Sequence, residues 1–392
     1  MRQVSYKYRL YPKPKQEILF AKHFGCVRFI YNWGLETKIK KYQAEKKSFN
    51  FFATCNLMKQ KKSELIWLKE VNAQSLQMSL KNLDNAFTRF FREKKGFPKF
   101  KKKNNRQSFS CPQGIKINWN NSTITLPKIG EVKTVFSRKF EGKIKTCTVS
   151  KTPTNKYFIS ILVETPEQNK QKPKIKEKTA VGIDLGIKHF ATLSNGTKIE
   201  NPKYLSKLEQ RMKILQRRAF KKKKGSNNRK KAFLKVTRYH EKIANQRDDF
   251  LHKLSTKLIR ENQTICLETL NVAGMMKNHC LAKSISDVCW SRFMTFLKYK
   301  AEWYGSNILQ IGRFEASSKT CSNCGSIKRD LELKDRNWTC KECDTSHDRD
   351  VNAAINIKKM ALQKQNLISP TDCGVVLLES LPLGRAVKEE SL

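Results

Sequence analysis

Two sets of residues in this chain have the types and spacing to do chemistry. Cys321-Ser-Asn-Cys324 and Cys340-Lys-Glu-Cys343 are Cys-x-x-Cys pairs separated by 15 residues. Each such turn presents two sulfurs on one side. The spacing is that of a four-thiolate zinc ribbon, with Leu331 to Trp338 supplying a strand pair between the knuckles. Four thiolates complete a tetrahedral Zn2+, so one ion here is structural, because a catalytic zinc needs an open position. The second set is acidic. The runs ending in Asp184 and Glu268 are short and apolar, and Asp350 precedes Ala353, Ala354, Ile357 and Met360 at helical spacing. Three acids at element ends match the inventory for holding two Mg2+ roughly 4 Å apart on a scissile phosphate. One ion then activates water, the other steadies the leaving oxygen, and no histidine is needed as base. Acids at helix starts also serve as caps, and that reading stays open for Asp348 and Asp350.

The elements that must position these acids are legible around them. Val181 to Leu185 reads as a strand. His189 to Ser194 and Thr197 to Glu200 flank Asn195-Gly196, the strongest short hairpin signal. RNase H-like nucleases begin this way, and actin- or heat-shock-type ATPases begin with a similar Asp-x-Gly. The ATPase reading needs a second glycine-rich phosphate loop, and none follows. Thr264 to Glu268 repeats the pattern of the first strand. As parallel neighbours the two strands would bring their carboxylates together at the carboxyl edge, where open α/β sheets place ligands. Between them, Lys203 to Lys224 and Arg229 to Arg260 read as an antiparallel helical hairpin around Gly225-Ser-Asn-Asn228. Its Lys221 to Lys224 run is suited to lie along a duplex backbone. A helix over 286–305 and a strand over 308–312 follow.

Composition sets the class of partner. Eighty Lys plus Arg against 34 Asp plus Glu give a formal charge of +46 over 392 residues, a self-repulsion that a polyanion must neutralise. The expected partner is nucleic acid. No membrane is expected, since no apolar run reaches 18 residues and no signal peptide opens the chain. Eight of the twelve cysteines are scattered without pattern, as expected for thiols in a reducing, cytoplasmic compartment.

The N-terminal part reads as a strand (residues 1–12), a helix from Lys15 to about Tyr42 that carries Arg28, and a second helix from about Ala73 to Glu93. The second helix has Leu76, Leu80, Leu83, Ala86, Phe87, Phe90 and Phe91 on a broad apolar face. Its other side shows Gln74 and Gln77, which can contact base edges or phosphate. In Gly96-Phe-Pro-Lys-Phe-Lys-Lys-Lys103, Phe97 and Phe100 alternate with Lys99, Lys101 and Lys102, a pattern suited to stacking on bases while neutralising phosphates. Short strands are expected at 115–119, 123–126, 132–136, 143–150 and 156–163. A Lys-, Gln- and Pro-rich linker, Glu167 to Lys178, follows.

These residues resemble the TnpB family, transposon-encoded relatives of the type V CRISPR effectors. The resemblance runs collinearly along nearly the whole chain. It includes Leu10-Tyr-Pro-Lys13, Gly25-Cys-Val-Arg28, Gly96-Phe-Pro-Lys-Phe100, Val181-Gly-Ile-Asp-Leu-Gly186, Leu267-Glu-Thr-Leu-Asn-Val272, Leu281-Ala-Lys-Ser-Ile285, Ser318-Lys-Thr-Cys-Ser-Asn-Cys-Gly325 and His347-Asp-Arg-Asp-Val-Asn-Ala-Ala354. It implies a mixed α/β multidomain fold: an RNase H-like (RuvC) nuclease domain over 171–316 and 347–365 with an inserted zinc ribbon over 317–346. It further implies an N-terminal β wedge domain over 1–14 and 104–170 with an inserted helical recognition lobe over 15–103. Residues 366–392 are left as a tail expected to be disordered. The implied activity is guide-directed cleavage of double-stranded DNA beside a short motif, with a guide RNA (ωRNA) as partner, Asp184, Glu268 and Asp350 as the acidic triad, and a monomer as the favoured state. Guide pairing would read the sequence, while the protein holds the heteroduplex by backbone and shape. Two positions depart from the family pattern: Thr269 stands where an Asp commonly follows the Glu, and Asp344 replaces a Gly after the last zinc cysteine. The alternatives are a cleavage-inactive RNA-guided repressor, which would be expected to lack some of the acids, and a DNA-joining transposase, whose end recognition the sequence does not display.

Overall fold

The computed structural model describes residues 1–365 apart from 47, 48, 105, 314 and 333; the tail read at 366–392 lies outside the described residues. The chain forms two compact units, Met1–Gln168 and a second from Asn169 onward.

In the first unit, β1 (Arg2–Tyr11) leads into α1 (Pro14–Glu45), α2 (Phe51–Glu64) and α3 (Ala73–Glu93). Six strands follow: β2 (Gln107–Cys111), β3 (Lys116–Asn118), β4 (Thr123–Leu126), β5 (Gly130–Val135), β6 (Lys143–Lys151) and β7 (Tyr157–Thr165). All seven strands form one antiparallel sheet in the order β2-β6-β7-β1-β5-β4-β3, which sets the first strand between β7 and β5. Pro14 opens α1, where a missing N–H is harmless, and the Gln16 side chain accepts from the Lys13 amide at 2.9 Å. Phe20, Phe24 and Ile30 of α1 share one core with Leu76 and Leu80 of α3 and with Phe109, Ile159 and Tyr157 of the sheet.

One expectation for this unit needs correction, and one element, α2, was not foreseen. The apolar face of α3 is buried at Leu76, Leu80 and Leu83 but runs out beyond them, and Phe91 is 71% exposed. Helix α2 gave no periodic signal because Thr54 and Met58 are the residues it buries.

The second unit contains β8 (Ala180–Leu185), β9 (His189–Leu193), β10 (Lys198–Glu200), α4 (Tyr204–Phe220), α5 (Asn227–Glu261), β11 (Thr264–Glu268), α6 (Val272–Met275), α7 (His279–Val288), α8 (Trp290–Tyr304), β12 (Asn307–Ile311), β13 (Asn337–Thr339), β14 (Ser346–Asp348) and α9 (Arg349–Gln363). Its five-stranded sheet runs β10-β9-β8-β11-β12, with β8, β11 and β12 parallel and β9 and β10 antiparallel. The hairpin turns at Asn195-Gly196, where Gly196 takes φ +85°. As the matching runs imply, β8 and β11 are parallel neighbours, with Leu267 opposite Ile183.

Strand alternation then divides the sheet's two faces. Val181, Ile183, Leu185, Ile265 and Leu267 pack against Leu251, Leu254 and Leu258 of α5 and Phe293 and Leu297 of α8. Cys266, of the opposite parity, packs against Ile357, Met360 and Ala361 of α9.

Elsewhere the structure departs from the sequence reading. The helix expected over 286–305 is broken at Cys289, which adopts a left-handed φ of 59° between α7 and α8 with no glycine or proline to announce it. The strand pair expected over Leu331 to Trp338 is instead β13 with β14, Trp338 opposite His347. It brackets the second cysteine knuckle, and Thr320 bridges Ile327 at the first. Among the described residues no disulfide forms, and no helix is long and apolar enough to cross a membrane.

Candidate active site and metal centre

Asp184 and Glu268 end the neighbouring strands β8 and β11. By strand parity both belong to the face that carries α9, Asp184 with Gly182 and Glu268 with Cys266. Gly182 makes the close approach of α9 possible. A Cβ there would stand 1.9 Å from the Ala354 carbonyl oxygen and 2.9 Å from Lys358 N. From that contact, Asp184 lies two strand residues along, roughly 6.7 Å. Asp350 lies one helical turn back from Ala354, about 6 Å. The two offsets match, so the third acid comes to the strand ends because helix and strand touch at a glycine.

The electrostatics agree with this placement. The Asp184 carboxyl is raised to about 7, first by burial, then by the neighbouring charges of Glu268 and Asp350, with Arg349 and Arg336 opposing the rise. Burial also raises Glu268.

Asp348 and Asp350 divide the roles that the sequence left open. Asp348 is the cap of α9, accepting from the amides of Asp350 and Val351 at 3.1 Å. Burial alone would raise its carboxyl. Lys198, at 2.6 Å, and the two amides together hold it below the usual range. Asp350 sits in the first turn and accepts from Arg336 Nη1 at 3.3 Å. Arg336 immediately precedes β13, so the cysteine module delivers a cation to the third acid; nothing in the spacing of the motifs announced it. Thr269, at the departure from the family pattern, donates to the Ile311 carbonyl at 2.7 Å and ties the ends of β11 and β12 together.

Hard oxygen donors within electrostatic reach of one another suit Mg2+, which takes a few carboxylates and keeps waters; among the described residues only the four thiolates gather their ligand atoms within 4.8 Å. The four cysteine sulfurs lie within 4.8 Å of one another, with Cys321 to Cys343 at 3.7 Å and Cys324 to Cys340 at 3.5 Å. Bonds of 2.3 Å to a tetrahedral Zn2+ place sulfurs about 3.8 Å apart, so the donor set fits that ion. Both knuckles close the same way: Gly325 N donates to Cys321 O and Asp344 N to Cys340 O, each at 3.0 Å. Gly325 has φ 80° and Asp344 φ 52°, so Asp344 takes the left-handed turn in the glycine's place. His347 Nε2, 3.0 Å from Cys321 Sγ, and Trp338 complete the module's core.

Helix α9 also grips the first knuckle. Asn352 Oδ1 accepts from Ser322 N at 2.9 Å and its Nδ2 donates to Thr320 O at 2.8 Å. Asn356 Nδ2 donates to Thr320 O and Ser317 O at 2.6 and 2.7 Å, and Lys359 Nζ donates to Ser322 O at 2.6 Å. Positions 352, 356 and 359 share one helix face. The same helix therefore carries an acid, abuts the sheet and holds the cysteine module.

Of the residues read as nucleic-acid contacts, Lys221 to Lys224 lie in the second unit and are exposed, and the others lie in the first. Arg28 donates to Gln107 at 3.2 Å, Gln74 to Gln113 at 2.8 Å, and Gln77 is exposed. Phe97 packs edge-on against Phe87 and Phe90 rather than standing free. The Lys101 ammonium lies 3.8 Å from the centre of the Tyr31 ring, and Lys99 and Lys102 are exposed.

Comparison with known proteins first places the chain in a structural class. A solved structure titled "Cryo-EM structure of the Cas12f1-sgRNA-target DNA complex" aligns at TM-score 0.58 and 15% identity over 91% of this chain and 98% of that one. Another, "Structure of the mini-RNA-guided endonuclease CRISPR-Cas_phi3", aligns at TM-score 0.51 and 9% identity over 92% of each. The fold is thus the mixed α/β fold of these effectors. Family models match in three stretches: a helix-turn-helix domain at 1–47, "Probable transposase" at 160–279, and a Cas12f1-like TNB domain at 290–357. A relative from Streptomyces pristinaespiralis, named "Putative RNA-guided DNA endonuclease", is 40% identical over 90% of this chain and 88% of its own length. The Escherichia coli K12 protein "Putative RNA-guided DNA endonuclease InsQ" is 33% identical over 90% and 91%. The chain belongs to the TnpB family.

Proposed function

We propose that this chain is an RNA-guided DNA endonuclease of a transposable element, binding a guide RNA and cutting double-stranded target DNA beside a short motif. The observation that carries the reading is the coupling of Asp184 to Glu268 and Asp350 on the α9 face of the mixed sheet, in a chain whose relatives bear that activity in their names. In this reading the three acids hold two Mg2+. Bound there, the ions supply the positive charge that polarises the scissile phosphate and eases deprotonation of the attacking water.

The protein's own part is to position and balance charge. Burial and like charge leave Asp184 reluctant to ionise alone, which favours a cation at this spot. Arg336 and Arg349 add fixed positive charge on the side of Asp350. One structural Zn2+ on Cys321, Cys324, Cys340 and Cys343 would fix the module that presents Arg336. We assign the second unit to a RuvC-type nuclease domain interrupted by this ribbon, and the first to a wedge domain (1–14 and 104–170) with an inserted recognition lobe (15–103). Arg28, Gln74, Gln77, Phe97, Lys99, Lys101 and Lys102 of the first unit are assigned to guide and target contacts. The oligomeric state assigned is a monomer.

The test is to express the protein with its flanking DNA, purify it and sequence the RNA that travels with it. A single defined RNA ending in sequence outside the element supports the reading. Random cellular RNA, or none, overturns it in favour of an unguided nuclease or a transposition accessory.

A further inference from the structure

Strand β10 is an edge of the five-stranded sheet, and the nuclease reading gives it no task. Its middle residue, Ile199, pairs with Ala191 and packs on the core shared with α5 and α8. Strand alternation therefore turns Lys198 to the opposite face, the one that carries α9. Lys198 pairs with Thr192, and Thr192 with Asp184, so the three stand in one row across the sheet. The Asn195-Gly196 turn sets that register, and a slip of one residue would send Lys198 to the other face.

At the end of this row Lys198 meets the start of α9. Its Nζ donates to Asp348 Oδ2 at 2.6 Å, while Asp348 Oδ1 accepts from the amides of Asp350 and Val351 at 3.1 Å. One carboxylate is thus shared, with one oxygen on the helix and the other on the sheet. Other ties on this stretch come from the cysteine module. Asp348 pairs with Asn337 of β13, the Arg349 amide donates to Arg336 O at 2.8 Å, and Arg349 Nη1 donates to Glu332 O at 2.8 Å. The seat of α9 at Gly182 lies further along, at Ala354. Lys198 therefore ties the first turn, and with it Asp350, to the sheet that holds Asp184 and Glu268. The cations that offset the rise of Asp184 are Arg349 and Arg336, so Lys198 acts by placement rather than by field.

We propose that Lys198 is a positioning residue of the acidic site, setting Asp350 against Asp184 through the cap of α9, with Asp348 as the relay. The role rests on the reading of these acids as the metal site of a nuclease. Both side chains are 33% exposed, so the ion pair adds little to stability and its loss should leave the fold standing. Its effect should fall on metal binding, where outer partners of a site are worth about 10- to 100-fold in affinity or rate.

The test uses full-length protein and Mn2+, with binding followed by electron paramagnetic resonance in the absence of guide and target. Ions held elsewhere are subtracted with Asp184→Ala. Lys198→Met should weaken Mn2+ binding about tenfold, with the melting temperature in EDTA unchanged. Lys198→Arg keeps the cation and should recover most of the affinity. Asp348→Asn keeps the cap acceptor but loses the charge. Combined with Lys198→Met, it should bind no more weakly than the weaker single variant, because both act through one contact. Losses that multiply overturn the proposal, as does a Lys198→Met protein that binds Mn2+ like wild type. A melting temperature that falls along with the affinity would make the pair merely structural and overturn it too. On guide-loaded protein Lys198→Met should slow single-turnover cleavage about tenfold and leave target binding in EDTA unchanged. Weakened target binding would instead make Lys198 a phosphate contact. Should Mn2+ binding respond as stated while the wild type cuts no guided target, the nuclease reading fails and the positioning role stands.

Discussion

Gly182→Ala is the smallest change that should separate chemistry from binding. The added methyl would meet the Ala354 carbonyl oxygen at 1.9 Å, about 1.5 Å short of the 3.4 Å at which ordinary contact begins, and Lys358 N at 2.9 Å. Both atoms are helix backbone, so no rotamer change relieves the clash, and α9 must lift from β8. The cost to stability should be about 1–3 kcal/mol, the range for overpacking. The cost to cleavage should be larger in consequence, because α9 carries Asp350. A displacement of about 1 Å at a reacting centre lowers rate roughly 100-fold, equivalent to about 2.7 kcal/mol. The assay is single-turnover cleavage of a guided target at saturating Mg2+, alongside target binding in EDTA. Binding within about twofold of wild type and cleavage down about 100-fold are predicted. Wild-type cleavage by the alanine variant would show that the seat of α9 at Gly182 does not position the acids.

Four further outcomes follow from the same geometry. Asp184→Asn should abolish Mg2+-dependent cutting while raising the melting temperature in EDTA at neutral pH, since it removes a carboxylate that burial and two neighbouring acids push up to about 7; an unchanged or lower melting temperature would argue against that crowding. Asn356→Leu should lower cleavage at least tenfold and raise the Mg2+ concentration needed for half-maximal rate. Zinc content by metal analysis should stay near one per chain, whereas joint loss of zinc and binding would make Asn356 merely structural. Cys321→Ser should lose zinc and, through α9, cleavage; full activity without zinc would refute the ribbon's structural role. Lys300, buried on α8 with the His252 carbonyl and the Ser255 and Thr256 hydroxyls at 2.7 Å, has its ammonium pushed down to about 8 by burial. The unfolded chain then binds more protons between about pH 8 and 10.5, so this residue's contribution to stability rises with pH across that window. Urea unfolding at pH 8 and 10 should show a smaller rise for Lys300→Met than for wild type.

Much of the second unit could be read from local chemistry. Asn195-Gly196, the two acid-ended strands and the paired Cys-x-x-Cys turns each act over a few residues, and the structure places all of them as hairpin, parallel neighbours and thiol cluster. Asp344 was legible for the same reason, since a left-handed turn is a property of one residue. What stayed hidden depends on contacts distant in sequence. The value of Gly182 lies in a helix more than 160 residues later, the pairing of Arg336 with Asp350 crosses the cysteine module, and the face of Asn352, Asn356 and Lys359 has meaning only against the Thr320 and Ser322 backbone. Trp338 and His347 pair around the second knuckle, whereas spacing alone favoured a strand pair between the knuckles. The break at Cys289 escaped because the residue itself gives no sign of a positive φ.

The central claim is that Asp184, Glu268 and Asp350 act together on DNA chosen by a guide. Its most direct test is the Mg2+ dependence of cleavage by the guide-loaded protein on a matched and a scrambled target, run in parallel with Asp184→Ala. The account predicts cutting of the matched target alone, rising with Mg2+, absent in the variant, with the variant's RNA affinity unchanged. Equal cutting of both targets, or cutting that survives the loss of Asp184, would contradict it.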